Sequence, residues 1–313
     1  GLLHEAIAVS NVFVPKGEIV VSTKGKVKNT NREYKTPREA ADTTTPLAVL
    51  IDGGTASASE IVSGTIQDLD RGVIIGQTSF GKGLVQSTRP VAYNSQLKLT
   101  TSKYYIPSGR SIQRIIYSEK GEDGEFAEVP DSLRKAFTTR GGRTVLDGAG
   151  IEPDIKTDVD EYSQLSFVLF RNNHIYDYSL DYYNTHPTVA SAADFTLTDQ
   201  DFEAFKQFLD GKDYSYETPT EAKLIELKEK VEEDNYGGEL DGMITALEDK
   251  LSAAKANDLD KYKDEILFLL EREIAGRYYY RAGREENSLD NDKEVQKALD
   301  VLANSTQYAS ILK

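Results

Sequence analysis

Along the first half of the chain, short apolar runs punctuated by glycine surround one stretch of helical period. EIVVST (18–23), PLAVLID (46–52), GVIIGQ (72–77), GLVQST (83–88) and QLKLTTSKYYI (96–106) are β-branched runs of strand length, the last alternating at Leu97, Leu99 and Thr101. Between PLAVLID and GVIIGQ, the segment TASASEIVSGTIQDLDR sets Ala58, Ile61, Val62, Ile66 and Leu69 at helical spacing. The local order is strand, turn, helix, strand. PLAVLID is apolar enough to be expected buried on both faces, as parallel strands are. YSEKGEDGEFAEVPDSLRKAFTTRGG (117–142) is polar and glycine-interrupted and reads as an insertion on the surface. After GIEPDI (150–155) the period changes. TEAKLIELKEKVEED (220–234), ELDGMITALEDKLSAAK (239–255), DLDKYKDEILFLLEREIAGRYYY (258–280) and DKEVQKALDVLA (292–303) each carry an apolar residue every three or four positions. A boundary near residue 157 is therefore expected, with an α/β unit over 1–157 and an all-α domain over 158–313. No internal repeat of fixed period is visible.

Charge sharpens this division. Residues 1–157 hold 20 Lys and Arg against 18 Asp and Glu, and residues 158–313 hold 17 against 34, so the net charge of −15 lies wholly in the helical half. A half so acidic repels nucleic acid and anionic membranes, so the basic aromatic run RYYYR (277–281), on a helix where Tyr rings normally pack, ranks low as a nucleic-acid patch. The near-neutral half is the place to look for a substrate cleft. The 313 residues suffice for two cores, no run of 18 apolar residues is long enough to cross a membrane, and the opening GLLHEAIAVS has neither an initiator Met nor a secretory pattern. A chain that opens on Gly within a helical pattern is expected to be cut from something longer. With no Cys, disulfides, zinc-thiolate sites and cysteine nucleophiles are all excluded. No acidic run has the order of a calcium loop, so neither a metal nor a cofactor is expected.

The chemistry concentrates in two turns. IIGQTSFGKGLVQ (74–86) puts Gly76, Gly81 and Lys82 where a phosphate-binding G-x-x-x-x-G-K-[ST] loop has them, but Gly83 stands where a hydroxyl should hold magnesium. Nucleotide binding therefore ranks low, and Lys82 needs another use. The other turn begins the helix. Ser57 opens S-A-S-E, a capping box in which Glu60 reaches back to the Ser57 N–H, and a serine at a helix start is usually only a cap. Here, however, it follows directly on PLAVLID, at the carboxyl end of a sheet strand where α/β active sites form, with the Ala58 N–H next to it as an oxyanion donor. If the two strands are parallel, the Ser57 and Lys82 turns meet at one sheet edge. None of the three histidines is well placed as a base: His4 is on a terminal helical stretch, and His174 and His186 are in the acidic half. A Ser–Lys arrangement needs none, provided the lysine is neutral when it acts. Gln86, four residues on, is placed to orient the amine without adding negative charge.

LIDGGTASASEIVSG, followed by FGKG with Lys82 25 residues after Ser57 and then by Gln86, resembles the carboxy-terminal processing peptidases, the tail-specific S41 family of serine peptidases. LKLTTSKYYIPSGRSIQ, GIEPDI and VFVPKGEIVVSTKG resemble further segments of that family, so the resemblance spans roughly residues 1–157. It implies a crotonase/ClpP-like α/β core of mixed sheet and helices, followed here by an acidic all-α domain like the C-terminal extensions of Bacteroidetes-type members. It further implies Ser57 as nucleophile, Lys82 as general base, Gln86 as the residue that orients Lys82, and the Ala58 N–H as an oxyanion donor. Gly1-Leu2-Leu3 resembles the end of the family's Pro-Gly-Gly-Leu segment, which makes Gly1 the second donor. Asp68, eleven residues after Ser57, is the supporting carboxylate the resemblance suggests. The implied activity is cleavage of unstructured or C-terminal protein segments in the periplasm or cell envelope of a bacterium. Protein or peptide substrates are the implied partners, and the helical domain allows homo-oligomer formation. The family's upstream PDZ domain and further core strands are not in this chain. The competing reading is a non-catalytic scaffold, or an inactive fragment, in which Ser57 is only a cap and the helical half binds a protein partner.

Overall fold

The computed structural model describes residues 1–121, 124–159 and 161–313. Residues 122 and 123 of the expected surface insertion and residue 160 of the expected helical domain lie outside the described residues. In chain order come α1 (Leu3–Phe13), β1 (Ile19–Lys24), β2 (Arg32–Lys35), β3 (Ala48–Ile51), α2 (Ala58–Asp68), β4 (Val73–Gly76), β5 (Leu84–Pro90) and β6 (Gln96–Tyr105). Then follow β7 (Ile115–Lys120), β8 (Phe126–Glu128), β9 (Ala136–Thr138), β10 (Thr144–Leu146) and β11 (Ile155–Lys156). The helices after them are α3 (Gln164–Arg171), α4 (His174–Thr185), α5 (Asp199–Phe208), α6 (Pro219–Glu233), α7 (Gly237–Lys255), α8 (Asp258–Lys261), α9 (Lys263–Ser288), α10 (Lys293–Ala303) and α11 (Ser305–Ile311). Two compact units result, one of residues 1–159 with 293–313 and one of residues 160–292.

In the first unit, the antiparallel strands form a four-stranded sheet of order β2-β1-β6-β5, and the parallel strands a three-stranded sheet of order β11-β4-β3. Helix α2 supplies the core between them. Its Ile61 and Ile66 are buried with Val20, Val21, Tyr104, Ile106 and Ile151, and the Thr65 hydroxyl donates to the Val20 carbonyl at 3.0 Å. Each of those two isoleucines stabilises the unit by about 1.5–3 kcal/mol through burial alone.

The strand buried on both faces is β4, not PLAVLID. Val73, Ile74 and Ile75 are fully buried, whereas Leu50 of β3 is 40 % exposed. Position in the sheet is the reason: β4 is central and β3 is an edge. Alternation along β4 sends Ile74 to the α2 side, while Val73 and Ile75 pack on Ala298 and Val301 of α10. By such contacts helices α10 and α11 group with the first compact unit, while the rest of 158–313 forms the second. Tyr308 of α11 secures them, its hydroxyl accepting from the Leu47 N–H at 2.9 Å. The surface insertion is more ordered than its composition suggests. It forms the hairpin β7–β8, and its strand β9 pairs with β10.

The second unit is wholly helical among its described residues. Leu165, Leu169, Phe202, Phe205, Ile266 and Leu270 lead its core, and α6 with α7 encloses a separate small cluster of Leu224, Val231 and Ile244. Ser163, Thr198 and Thr218 cap α3, α5 and α6, each accepting a backbone N–H three residues on. The long helix α9 is interrupted at Tyr280, whose φ of 59° and ψ of −156° are non-helical. The chain turns back there, so that Arg284 meets Glu273 at 2.8 Å. Of the RYYYR aromatics, Tyr279 donates its hydroxyl to the Ala190 carbonyl at 2.7 Å, whereas Tyr280 is 80 % exposed.

Candidate active site

Strands β3 and β4 run parallel with Ile51 opposite Gly76, so the turns that follow them emerge side by side. The join is close. The Gln77 N–H donates to the Ile51 carbonyl at 2.9 Å, and a Cβ on Gly76 would lie 1.9 Å from that same oxygen. With φ at 128° as well, only glycine fits there. Asp52 folds the first turn by accepting from the Gly54 N–H at 3.0 Å and from the Thr55 hydroxyl at 2.9 Å. The Thr55 carbonyl then accepts the Phe80 N–H of the second turn at 2.9 Å.

Ser57 is the N-cap of α2, but with φ 58° and ψ −114° it is not in the extended conformation of an ordinary cap. Positive φ in a non-glycine residue is strain that costs about 1–3 kcal/mol, and such strain concentrates at functional sites. What holds it is Glu60, whose side chain is completely buried. Its Oε2 accepts the Ser57 N–H at 2.8 Å and the Lys82 N–H at 2.9 Å, and its Oε1 accepts the Gly81 N–H at 2.7 Å and the Ser79 hydroxyl at 2.5 Å. A carboxylate is the one side chain that accepts all four, since both its oxygens lack protons. Glu60 thus makes its half of the capping box, and the same carboxylate also clamps the lysine turn.

Tyr104 of β6 closes the opposite side. Its hydroxyl reaches the Ser57 carbonyl at 3.2 Å and hydrogen-bonds the Lys82 carbonyl. Burial and the neighbouring Glu60 push its phenol well above the usual tyrosine range, so it remains a neutral donor. Gly81, with φ at 85° and Arg114 where a side chain would go, allows the lysine turn to close this tightly. This geometry also disposes of phosphate binding. The Gly81 and Lys82 N–H groups that would cradle a phosphate are already given to Glu60.

Ser57 and Ala58 are half-buried, and Lys82 and Gln86 are exposed. Gln86 sits on β5 where a bulge shifts the register with β6, a device that re-aims a strand beside functional sites. Among the described residues no hydrogen bond joins Ser57 Oγ, Lys82 Nζ and the Gln86 amide. The two turns are held together through their backbone groups. Gly1 lies against Ala58, a Cβ on it falling 2.7 Å from that of Ala58, so the two expected oxyanion donors are neighbours.

Asp68 is the expected residue that the fold takes elsewhere. It ends α2, about 16 Å along the helix from Ser57 at 1.5 Å per residue. There it faces the buried Arg110 at 3.0 Å and accepts the Ser108 N–H at 2.9 Å. Burial pushes its carboxyl above the usual range, with Arg110 opposing the shift. Its contacts fix the far end of α2 and do not touch the serine or lysine turns. His4 lies exposed beside Glu5, while His174 and His186 approach the carbonyls of Asp213 and Tyr182 in the helical unit. Two residues that sequence reasoning passed over matter most. Glu60 was visible only as a cap, and Tyr104 only as one position of an alternating strand.

Residues 1–118 match the model of peptidase family S41, and residues 165–302 match the model described as probable PDZ-protease, C-terminal helical domain. The carboxy-terminal-processing protease of Bartonella bacilliformis is 50 % identical over 115 residues, which is 37 % of this chain and 26 % of that protein. The carboxy-terminal processing protease CtpA of Bacillus subtilis is 33 % identical over 132 residues, 42 % of this chain and 28 % of that protein. The chain thus spans about a quarter of the length of these curated relatives. Among solved structures, a photosystem II D1 C-terminal processing protease aligns with TM-score 0.37 and 26 % identity, over 50 % of this chain and 32 % of that one.

Proposed function

We propose that this chain, whose residues 1–118 belong to peptidase family S41 and residues 165–302 to the C-terminal helical domain of PDZ-proteases, carries the nucleophile and base of a serine endopeptidase. Ser57 is the nucleophile and Lys82 its general base. One observation carries this reading: a single buried carboxylate oxygen of Glu60 holds the Ser57 N–H at 2.8 Å and the Lys82 N–H at 2.9 Å, which ties the two turns together.

In the proposed reaction, neutral Lys82 Nζ takes the Ser57 Oγ proton as Oγ bonds to the scissile carbonyl carbon. In this proposal the developing oxyanion is met by the Ala58 and Gly1 N–H groups, since donors aimed at developing charge stabilise the transition state. On collapse, the C–N bond breaks and the leaving amine takes the proton from Lys82. Water then attacks the acyl-enzyme with Lys82 again as base, releasing the new carboxyl end and restoring Ser57. Gln86 steers the amine. The substrates proposed are unstructured or C-terminal protein segments, met in the periplasm or cell envelope, and the helical unit is the surface through which a homo-oligomer would form.

The test is covalent labelling with an alkylsulfonyl fluoride, the site mapped by mass spectrometry. Modification of Ser57 that disappears in Lys82→Ala is the expected result. Equal modification in wild type and Lys82→Ala refutes the base assignment, and modification elsewhere refutes the nucleophile.

A further inference from the structure

The Lys82 side chain is exposed and long, so the accuracy with which its amine meets Ser57 depends on how its backbone is held. Both flanking peptide groups are pinned. On the amino side, the Lys82 N–H is held by Glu60. On the carboxyl side, Tyr104 takes a double grip: its phenol hydrogen-bonds the Lys82 carbonyl, and its backbone N–H donates to the Gly83 carbonyl at 3.0 Å. The Gly83 N–H is in turn held by Gln113 Oε1 at 2.8 Å.

A phenol has one proton for the two carbonyls it reaches. The Ser57 carbonyl already accepts the first helical hydrogen bond of α2, from the Ile61 N–H at 3.1 Å. The proton therefore goes to Lys82, with the Ser57 carbonyl at 3.2 Å as the second, weaker contact. We propose that Tyr104 is a positioning residue whose hydroxyl sets the register between the base and the nucleophile. This rests on the serine peptidase reading above. Tyr104 touches no reacting atom; it acts through the backbone of Lys82. With only 3 % of its surface exposed, it stands inside the sheet and cannot be replaced by water from solvent. Loss of the hydroxyl leaves the ring packed on the α2 core and releases the lysine turn alone.

The experiment compares wild type, Tyr104→Phe and Tyr105→Phe in the full-length protein. Sites are counted by Ser57 titration with the sulfonyl fluoride, and kcat and KM are measured per titrated site on an unstructured protein substrate. A shift of the base of about 1 Å is enough for a ~100-fold loss. The expected result for Tyr104→Phe is kcat per site reduced about 10- to 100-fold, KM within about threefold and the titratable fraction unchanged. Tyr105→Phe should match wild type. A purely structural tyrosine would lower the titratable fraction and leave kcat per site alone, and that result overturns the proposal even if the variant is unstable. Failure of wild type to react at Ser57 overturns the peptidase reading itself.

Discussion

Glu60→Gln is the substitution that separates a helix cap from a clamp. The carboxylate accepts four hydrogen bonds, two on each oxygen, at 2.5–2.9 Å. A glutamine of the same shape has one acceptor oxygen and an NH2 group. Aimed at Ser57 and Lys82, its oxygen keeps those two bonds and turns its NH2 toward the Gly81 N–H and the Ser79 hydroxyl. The hydroxyl can rotate to accept, but the Gly81 N–H cannot. Hydrogen bonds to a charged group contribute about 1.5–3 kcal/mol each, so the bond to the Gly81 N–H is lost outright at a cost of about 1.5–3 kcal/mol, and the other three are weakened by the loss of charge. Loss of a simple cap costs about 1 kcal/mol. The assay is hydrogen exchange with mass spectrometry across a denaturant series, read on peptides of α2 and β4 so that the first unit is followed by itself. Destabilisation of those peptides by about 2 kcal/mol or more, on the order just worked, is the expected outcome. A change below about 1 kcal/mol would refute the reasoning and return Glu60 to the role of a cap.

Three further outcomes follow from packing, strain and titration. Val301→Ala removes two carbons from a fully buried site against Val73 and Ile75 and should destabilise the first unit by about 2 kcal/mol in the same exchange assay; an effect confined to the helical unit would contradict the assignment of α10. Tyr280→Gly relieves a backbone conformation that is essentially glycine-only at a side chain 80 % exposed, and should stabilise the helical unit by about 1–3 kcal/mol in denaturant unfolding; destabilisation would show that the break is not strained. Asp42 is held down to about 2 by the Thr45 side chain, the Thr45 and Thr44 N–H groups and Arg71. Because its folded value lies below the ordinary 3.8, its contribution is present above about pH 4 and lost as the pH falls through about 2. An NMR titration giving Asp42 an ordinary midpoint would remove that contribution.

The residues proposed to do the chemistry stand out in the sequence because their signal is local. A buried-type strand, a glycine turn and a helix opening on Ser57 lie within one continuous stretch, and the lysine turn follows the next strand. What the sequence hid depends on partners distant along the chain. S-A-S-E looks the same whether Glu60 caps a helix or also holds Ser79, Gly81 and Lys82, about twenty residues on, and only the parallel pairing of β3 with β4 brings those groups to it. PLAVLID and GVIIGQ are equally apolar, and composition does not say which strand is central. The stripe of α10 announces a helix but not the unit it joins, since its contacts with Val73 and Ile75 span more than two hundred residues. Leu97 and Leu99 show the limit of period-two reasoning. They alternate as a buried face would, yet they are 47 % and 44 % exposed toward the far end of the β5–β6 hairpin, and the buried positions of that strand are Ser102 and Tyr104. Asp68 lies three turns along the same helix face as Ser57, and helical phase alone does not tell the working end of a helix from its anchored end.

The central claim is that Ser57 attacks and Lys82 takes its proton. Its most direct test is incubation of an unstructured protein ending in apolar residues with wild-type, Ser57→Ala and Lys82→Ala full-length protein, the products read by mass spectrometry. Cleavage by wild type and by neither variant, with all three equally folded, is the predicted result. Cleavage retained by either variant would contradict it.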